Sequence, residues 1–181
     1  MIMGSMTAVA AAALRNRFLP ALSAEAAAIA MLAKLSKGEL KPDFSYDQSL
    51  FTGIYEDRYR DAYRCIYEAA GVAREDKAAR RRLTEENLTF YGAPHAAFIF
   101  IPDTGDNVDV VMDAGMFIQT FMLTLADRGF GSVPQLICAF FPNTVREILG
   151  IPANHKLLLD ISFGHPDANA KSILSAPCAR I

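Results

Sequence analysis

One segment, DAGMFIQTFMLTLADRG at residues 113–129, restricts the possible folds more than any other part of the sequence. Its apolar residues lie nearly all round a helix, so the helix has no broad polar side to present to water. A helix of this composition is buried on every side. A chain of only 181 residues forms a core too small to cover such a helix completely. We therefore expect part of the helix at residues 113–128 to lie in an interface between two subunits.

The spacing of apolar residues predicts further helices on both sides of this segment. SAEAAAIAMLAKLSKGEL predicts a helix that Ser23 caps and Gly38 ends. YEDRYRDAYRCIYEAAGV predicts a second helix, with tyrosines at three- and four-residue steps, and a polar helix follows in REDKAARRRLTEENLTFYG. PNTVREILGIP predicts a short helix, for which Asn143 or Thr144 is the expected cap.

Two apolar runs, HAAFIFIP and KLLLDISFG, are short, rich in branched and aromatic residues, and bounded by turn residues. Such runs are typical of buried strands. Two or three strands among more numerous helices predict an α+β fold, and no linker or repeat divides the chain. We therefore expect a single domain over residues 1–181.

Charge, hydropathy and cysteine usage indicate which partners and which cellular location to expect. The net charge of −2 argues against a nucleic-acid partner, which requires a basic surface. We expect no membrane partner, because no stretch approaches the roughly 20 apolar residues that span a bilayer. The three cysteines, Cys65, Cys138 and Cys178, are far apart, and unpaired thiols are typical of a reducing cytoplasm. These features predict a soluble cytoplasmic protein.

No catalytic or metal-binding motif occurs in the sequence. GxSxG, HExxH, CxxC and the phosphate-binding GxxxxGK[ST] pattern are all missing, so we expect no metal and no side-chain nucleophile. The arginines at residues 80–82 form a solvated, salt-bridged face or bind an anionic ligand. The tyrosines on the second helix form part of a core or line a ligand cleft. The sequence leaves both alternatives open.

The stretch LADRGFGSVPQLI at residues 125–137 is similarly ambiguous. Its glycines can simply end the preceding helix. Glycine also allows a backbone to approach a flat ligand closely. Local sequence does not decide between a change of direction and a binding wall.

Three blocks in order, however, resemble the nitroreductase family of flavin-dependent oxidoreductases. They are YGAPHAAFIFIP, then DAGMFIQTFMLTLADRGFGSVPQLICAFFPNTVREILGIP, then LLLDISFGHPDANA. The resemblance implies a nitroreductase-like α+β fold with a central mixed sheet flanked by helices. It also implies a homodimer with FMN at the interface, and residues 113–128 would form the long buried interface helix.

The resemblance further implies which residues bind and what reaction follows. NAD(P)H would reduce FMN and leave, and a nitroaromatic, quinone or related small acceptor would then take the electrons, with no catalytic side chain. The flavin ring would be faced by Pro134, Gln135, Leu136 and Ile137. The substrate-side aromatics would be Tyr55, Tyr59 and Tyr63.

The sequence departs from the family pattern at both ends. The family's arginine-rich opening motif, which holds the FMN phosphate, has no match here, because Arg15 and Arg17 have the wrong spacing, and the family's front segment would be lacking. Near the end, Lys171 and Arg180 are the remaining cations. An alternative function follows: a flavin-free dimer of nitroreductase fold that binds or acts on another small molecule.

Overall fold

A computed structural model describes residues 21–167 of the chain. These residues contain five helices: α1 (Ala21–Lys37), α2 (Ile54–Ala69), α3 (Lys77–Leu88), α4 (Val108–Asp127) and α5 (Pro142–Leu149). They also contain three strands: β1 (His95–Pro102), β2 (Gly131–Gln135) and β3 (His155–Gly164). Arg15, Arg17, Lys171, Cys178 and Arg180 lie outside the described residues.

The α+β class is confirmed. The described strands form one sheet in the order β1-β3-β2, and β3 pairs antiparallel with both neighbours. A mixed sheet was expected, but both described pairings are antiparallel. Neighbouring strands that run antiparallel can be connected without a crossover helix.

The chain divides into two compact units. Among the described residues, the first contains 21–44 and Glu86–Pro166, and the second contains Ser45–Glu85 and Asp167. The sheet, α1, α4 and α5 belong to the first unit. Helix α2 and most of α3 belong to the second.

In the first unit, α4 packs against the sheet through one stripe. Ala114 and Ile118 of α4 contact a cluster that includes Ile99, Ile101 and Ile161 of the strands. Residues four apart lie on the same face of a helix, so this stripe buries only one side of α4. The opposite side is described with the candidate site.

An ion pair fixes α5 against the loop that follows α1. The Arg146 guanidinium contacts the Asp43 carboxylate, and it also donates to the backbone carbonyl of His155 at 2.8 Å and to Asn143 Oδ1 at 2.8 Å. Asp43 in turn accepts from the N–H of Leu157 at 2.8 Å. These bonds join α5, β3 and the Asp43 loop.

Two predicted helix caps differ from the structure. The chain is already helical at Ala21, so Ser23 lies inside α1. Helix α5 begins at Pro142, whose missing N–H suits the first helical position. Neither predicted residue caps α5, because Asn143 accepts from Arg146 and Thr144 accepts from Lys34 Nζ at 2.6 Å.

The cysteines divide into two classes. Cys138 is a free thiol and is fully buried. Cys65 is disulfide-bonded, so the prediction of unpaired thiols is wrong for this residue. Its side chain on α2 is half-buried. The cytoplasmic location inferred from unpaired cysteines stays a prediction.

Candidate functional site

The candidate site lies where β2 ends. After α4, Gly129 adopts a left-handed φ of 76°, which glycine does without strain, and β2 follows directly. At Leu136 the chain leaves the sheet and enters one turn of 3₁₀ helix at Ile137–Phe140. The glycines therefore do end the helix, and the strand they lead to delivers residues 134–137 to a bend.

The four residues of this bend differ in exposure. Pro134 and Leu136 are exposed, Ile137 is half-buried, and the Gln135 side chain is buried. The first N–H groups of a helix have no partner within that helix. Among the described residues, the N–H groups of Leu136 and Ile137 donate to no carbonyl in a turn, loop or cap. The bend thus presents apolar surface beside two backbone donors.

The Gln135 side chain points inward and holds the bend in place. Its Nε2 donates to the Asn87 carbonyl at 2.8 Å and to Asn87 Oδ1 at 3.2 Å, and its Oε1 accepts from the Ser162 hydroxyl. These bonds connect β2 to the end of α3 and to β3. Any contact of Gln135 with a ligand therefore involves its backbone.

A strained segment lies next to this network. Phe90 and Tyr91 have φ values of 58° and 53°, a region that bulky residues rarely adopt. Strain of this kind persists where the surrounding structure enforces it, commonly at functional sites. Tyr91 interacts with the Asn87 side chain, and burial, the largest effect, raises the pKa of its phenol.

A buried acid lies behind the bend. Asp160 of β3 pairs with Gln135 across the sheet and is fully buried, and neither of its carboxylate oxygens has a hydrogen-bond partner of ordinary geometry among the described residues. Burial raises the pKa of Asp160 to about 7, although the nearby Cys138 thiol and a backbone contact offset part of the rise. Burial also raises the pKa of the Cys138 thiol, and the Asp160 carboxylate adds to this rise.

The predicted substrate-side tyrosines lie in the second unit, on α2. Tyr55 is 62% exposed and Tyr63 is 41% exposed, whereas Tyr59 is half-buried. Tyr59 stacks on Phe51 with ring centroids 6.0 Å apart, and the rings of Tyr59 and Tyr63 are 4.6 Å apart. Burial, followed by the hydrogen bond with Tyr63, raises the pKa of Tyr59 to about 12. Tyr59 is therefore neutral, and the row presents partly exposed aromatic rings.

The sequence prediction missed the polar residues behind the bend: Asn87, Tyr91, Asp160 and Ser162. Asn87 is 48 positions from Gln135, and no local pattern joins them. The signal that was available is the aspartate in the apolar run KLLLDISFG, because a charge inside a buried strand requires an explanation. Within residues 21–167, no group of three His, Cys, Asp or Glu side chains is placed to hold a metal ion.

The exposed side of α4 is unusually apolar. Met112, Met116 and Leu123 are 60%, 57% and 61% exposed, and each lies two positions before a buried residue of the opposite stripe. The prediction that α4 is buried all round is therefore not met within one chain. By length and composition alone, this 20-residue helix is also apolar enough to cross a membrane, so the expectation that no stretch approaches the required length is wrong.

Comparison with known proteins gives a consistent result. Residues 9–165 match the model of the nitroreductase family. The chain is 39% identical over 128 residues to nitroreductase NfnB of Mycolicibacterium smegmatis, which covers 71% of this chain and 54% of that protein. It is 30% identical over 116 residues to a 4-nitrobenzoate reductase of Pseudomonas putida, and this match covers 64% of this chain and 51% of that protein. The chain thus spans about half the length of these curated relatives.

Solved structures agree with the sequence matches. The FMN-dependent nitroreductase NfnB from Mycobacterium smegmatis, in complex with NADPH, is similar with a TM-score of 0.82 and 33% identity. That similarity covers 88% of this chain and 70% of the other. The FMN- and NADPH-dependent NfnB from Sphigopyxis sp. strain HMH gives a TM-score of 0.81 at 28% identity, over 88% and 71% of the two chains.

Proposed function

Because this chain belongs to the nitroreductase family, we propose that it is a flavin-dependent oxidoreductase using NAD(P)H. Its acceptors would be nitroaromatics, quinones or related small molecules. The observation that carries the proposal is the bend at residues 134–137, together with the similarity to an FMN-dependent enzyme solved with NADPH. The family match spans both compact units, and we treat residues 1–181 as one domain.

The described residues of the bend fit a flavin ring. A flat ring needs an apolar contact surface, which Pro134 and Leu136 supply. It also needs backbone donors directed at its polar edge, which tune its electronics, and the N–H groups of Leu136 and Ile137 are available. Arg15, Arg17, Lys171 and Arg180, the cations that remain near the family's missing phosphate motifs, lie outside the described residues.

The protein's contribution to the reaction is binding and orientation. Bound FMN would supply the redox chemistry, accepting a hydride from NAD(P)H and passing electrons to the acceptor. The bend would hold the ring in one orientation, because the Gln135 side chain fixes it to Asn87 and Ser162. Tyr55, Tyr59 and Tyr63 would offer aromatic surface to an aromatic acceptor.

Replacing Leu136 by proline should abolish FMN binding while leaving the fold intact. Leu136 has φ −100°, lies outside the sheet and is 42% exposed, so proline removes one donor with little disturbance of the core. Flavin absorbance after incubation with FMN measures the loss, and circular dichroism checks the fold. Gln135→Pro is a poorer test because it also removes the buried side-chain bonds.

Leu136→Ala is the matched control, since it shortens the same side chain but keeps the backbone N–H. It should retain most of the flavin. If Leu136→Pro binds FMN as well as Leu136→Ala does, the bend is not the flavin wall. If no variant and not even the parent chain binds FMN, the flavin-free alternative is favoured.

We also propose that the exposed stripe of α4 pairs with a second copy of the chain. Monomeric proteins rarely leave such contiguous apolar surface open. A membrane is the other apolar environment this helix suits by composition. The opposite stripe of α4 packs on the sheet through Ala114 and Ile118. A second copy is also the partner that the family resemblance implies for this helix.

The double variant Met112→Lys/Met116→Lys should convert the dimer to a monomer, because it places two charges in the apolar contact. Light scattering after size-exclusion chromatography, without detergent, gives the mass. Ile29→Lys is the control, since Ile29 is 62% exposed on α1 and outside this stripe. A parent chain that is monomeric in this measurement contradicts the proposed dimer. A parent chain that stays in solution only with detergent indicates that the stripe binds a membrane.

A further inference from the structure

The arginine cluster at residues 80–82 is the sequence motif that the proposed redox site does not use. In the second unit, two of these arginines contribute to a surface cavity of about 220 Å³. Its lining comes from α2 and the first two turns of α3, and it consists of Tyr67, Lys77, Arg80, Arg81 and Thr84. Arg82 lies on the same helix but does not line the cavity.

The cavity holds more positive than negative charge. Arg81 is paired with Glu85, with Nε 2.8 Å from the carboxylate. Lys77 and Arg80 form no ion pair with any described residue. Asp76, just before α3, uses its Oδ1 to accept the N–H of Ala79 at 2.8 Å. Of the three cations that line the cavity, one is therefore compensated and two are not.

The Arg80 guanidinium is held in place by neighbouring groups. It lies over the Tyr67 ring, 5.0 Å from the ring centroid, and a cation–π contact of this kind orients the charge. One of its nitrogens donates to the Arg74 carbonyl at 3.4 Å. A guanidinium held in this way loses less conformational entropy when it binds an anion.

We propose that this cavity is a binding site for a phosphate group. Two uncompensated cations match the charge of a phosphate monoester, about −1.5 to −2 at neutral pH. Arginine presents paired N–H donors that fit phosphate oxygens, and lysine adds a compact charge. The phosphate comes either from inorganic phosphate or from a nucleotide such as the 2′-phosphate of NADPH. These two sources share the chemistry that the cavity recognises.

The test is calorimetric titration of the full chain with inorganic phosphate in a low-salt, phosphate-free buffer. Arg80→Gln should weaken binding about tenfold, as expected for one charge-assisted hydrogen bond. Lys77→Gln should also weaken it. Arg82→Gln is the matched control, because it removes the same charge from the same helix and should change the affinity by less than about twofold.

Comparing one nucleotide, adenosine 2′-phosphate, with inorganic phosphate distinguishes the two sources. If adenosine 2′-phosphate binds more tightly than inorganic phosphate, and Arg80→Gln removes the difference, the cavity takes a nucleotide. If the two bind equally, it takes free phosphate. The proposal is overturned if the parent chain gives no heat with inorganic phosphate, or if Arg82→Gln weakens binding as much as Arg80→Gln. Circular dichroism of each variant verifies that α3 remains folded.

Discussion

Between about pH 5 and pH 8, the free energy of unfolding of the chain should fall by about 2–3 kcal/mol through the ionisation of Asp160. The Asp160→Asn variant should not show this loss. Asp160 is fully buried without hydrogen-bond partners of ordinary geometry among the described residues. Burial therefore disfavours its charged form and raises its pKa from 3.8 to about 7. The unfolded chain ionises this group at much lower pH than the folded chain.

The direction of the effect follows from proton binding. Between the unfolded and folded pKa values, the native state keeps a proton that the unfolded state has released. Stability attributable to Asp160 is thus fully present below about pH 4, falls as the pH rises, and stays low above about pH 7. The complete loss corresponds to about 4 kcal/mol.

Urea unfolding followed by far-UV circular dichroism measures this dependence, and the chain contains no tryptophan to serve as a fluorescent probe. Subtracting the profile of Asp160→Asn from that of the parent isolates the contribution of Asp160. Asp127→Asn, at an exposed position, is the control and should follow the parent. Parallel profiles for Asp160→Asn and the parent would show that Asp160 does not carry a buried charge penalty.

Arg146→Ala and Asp43→Ala should each cost about 3–5 kcal/mol of stability, because each leaves a largely buried charge without its partner. The side chains of Arg146 and Asp43 are only 10% and 17% exposed. Arg146→Ala also removes the bonds to His155 and Asn143, so α5 loses a polar contact with β3. Chemical unfolding near neutral pH measures both values.

The same measurement supplies its own control. Glu68→Ala breaks the exposed Arg64–Glu68 pair on α2, whose side chains are 59% and 64% exposed, and should cost at most about 1 kcal/mol. Asp43→Leu/Arg146→Met removes both charges together and should recover much of the loss. Equal small costs for the buried and exposed pairs would refute the role given to Arg146.

Features with a local signal were predictable from sequence. The β1 strand at His95–Pro102 coincides with its predicted run, and α4 and β3 differ only at their ends. In β1 and β3 the apolar pattern reports burial directly, whereas in α4 it also covers the exposed stripe of Met112, Met116 and Leu123. The caps of α5 were not predictable, because Asn143 and Thr144 are taken by Arg146 and Lys34, the latter 110 positions away.

The candidate site was only partly predictable for the same reason. Residues 134–137 were selected through a resemblance, and the structure places them at an accessible bend. The inward direction of the Gln135 side chain depends on Asn87 and Ser162, which are distant in sequence. The aspartate in the apolar run KLLLDISFG indicated a buried charge, but its position beside Gln135 depends on the pairing of β2 with β3. Long-range packing decided these features.

The central claim is that the bend at residues 134–137 forms part of a flavin site. The most direct measurement is the visible absorbance of the purified protein, after incubation with excess FMN and removal of the unbound cofactor. We predict a yellow protein with near-equimolar FMN and chain. A preparation that remains colourless after this treatment would contradict the account.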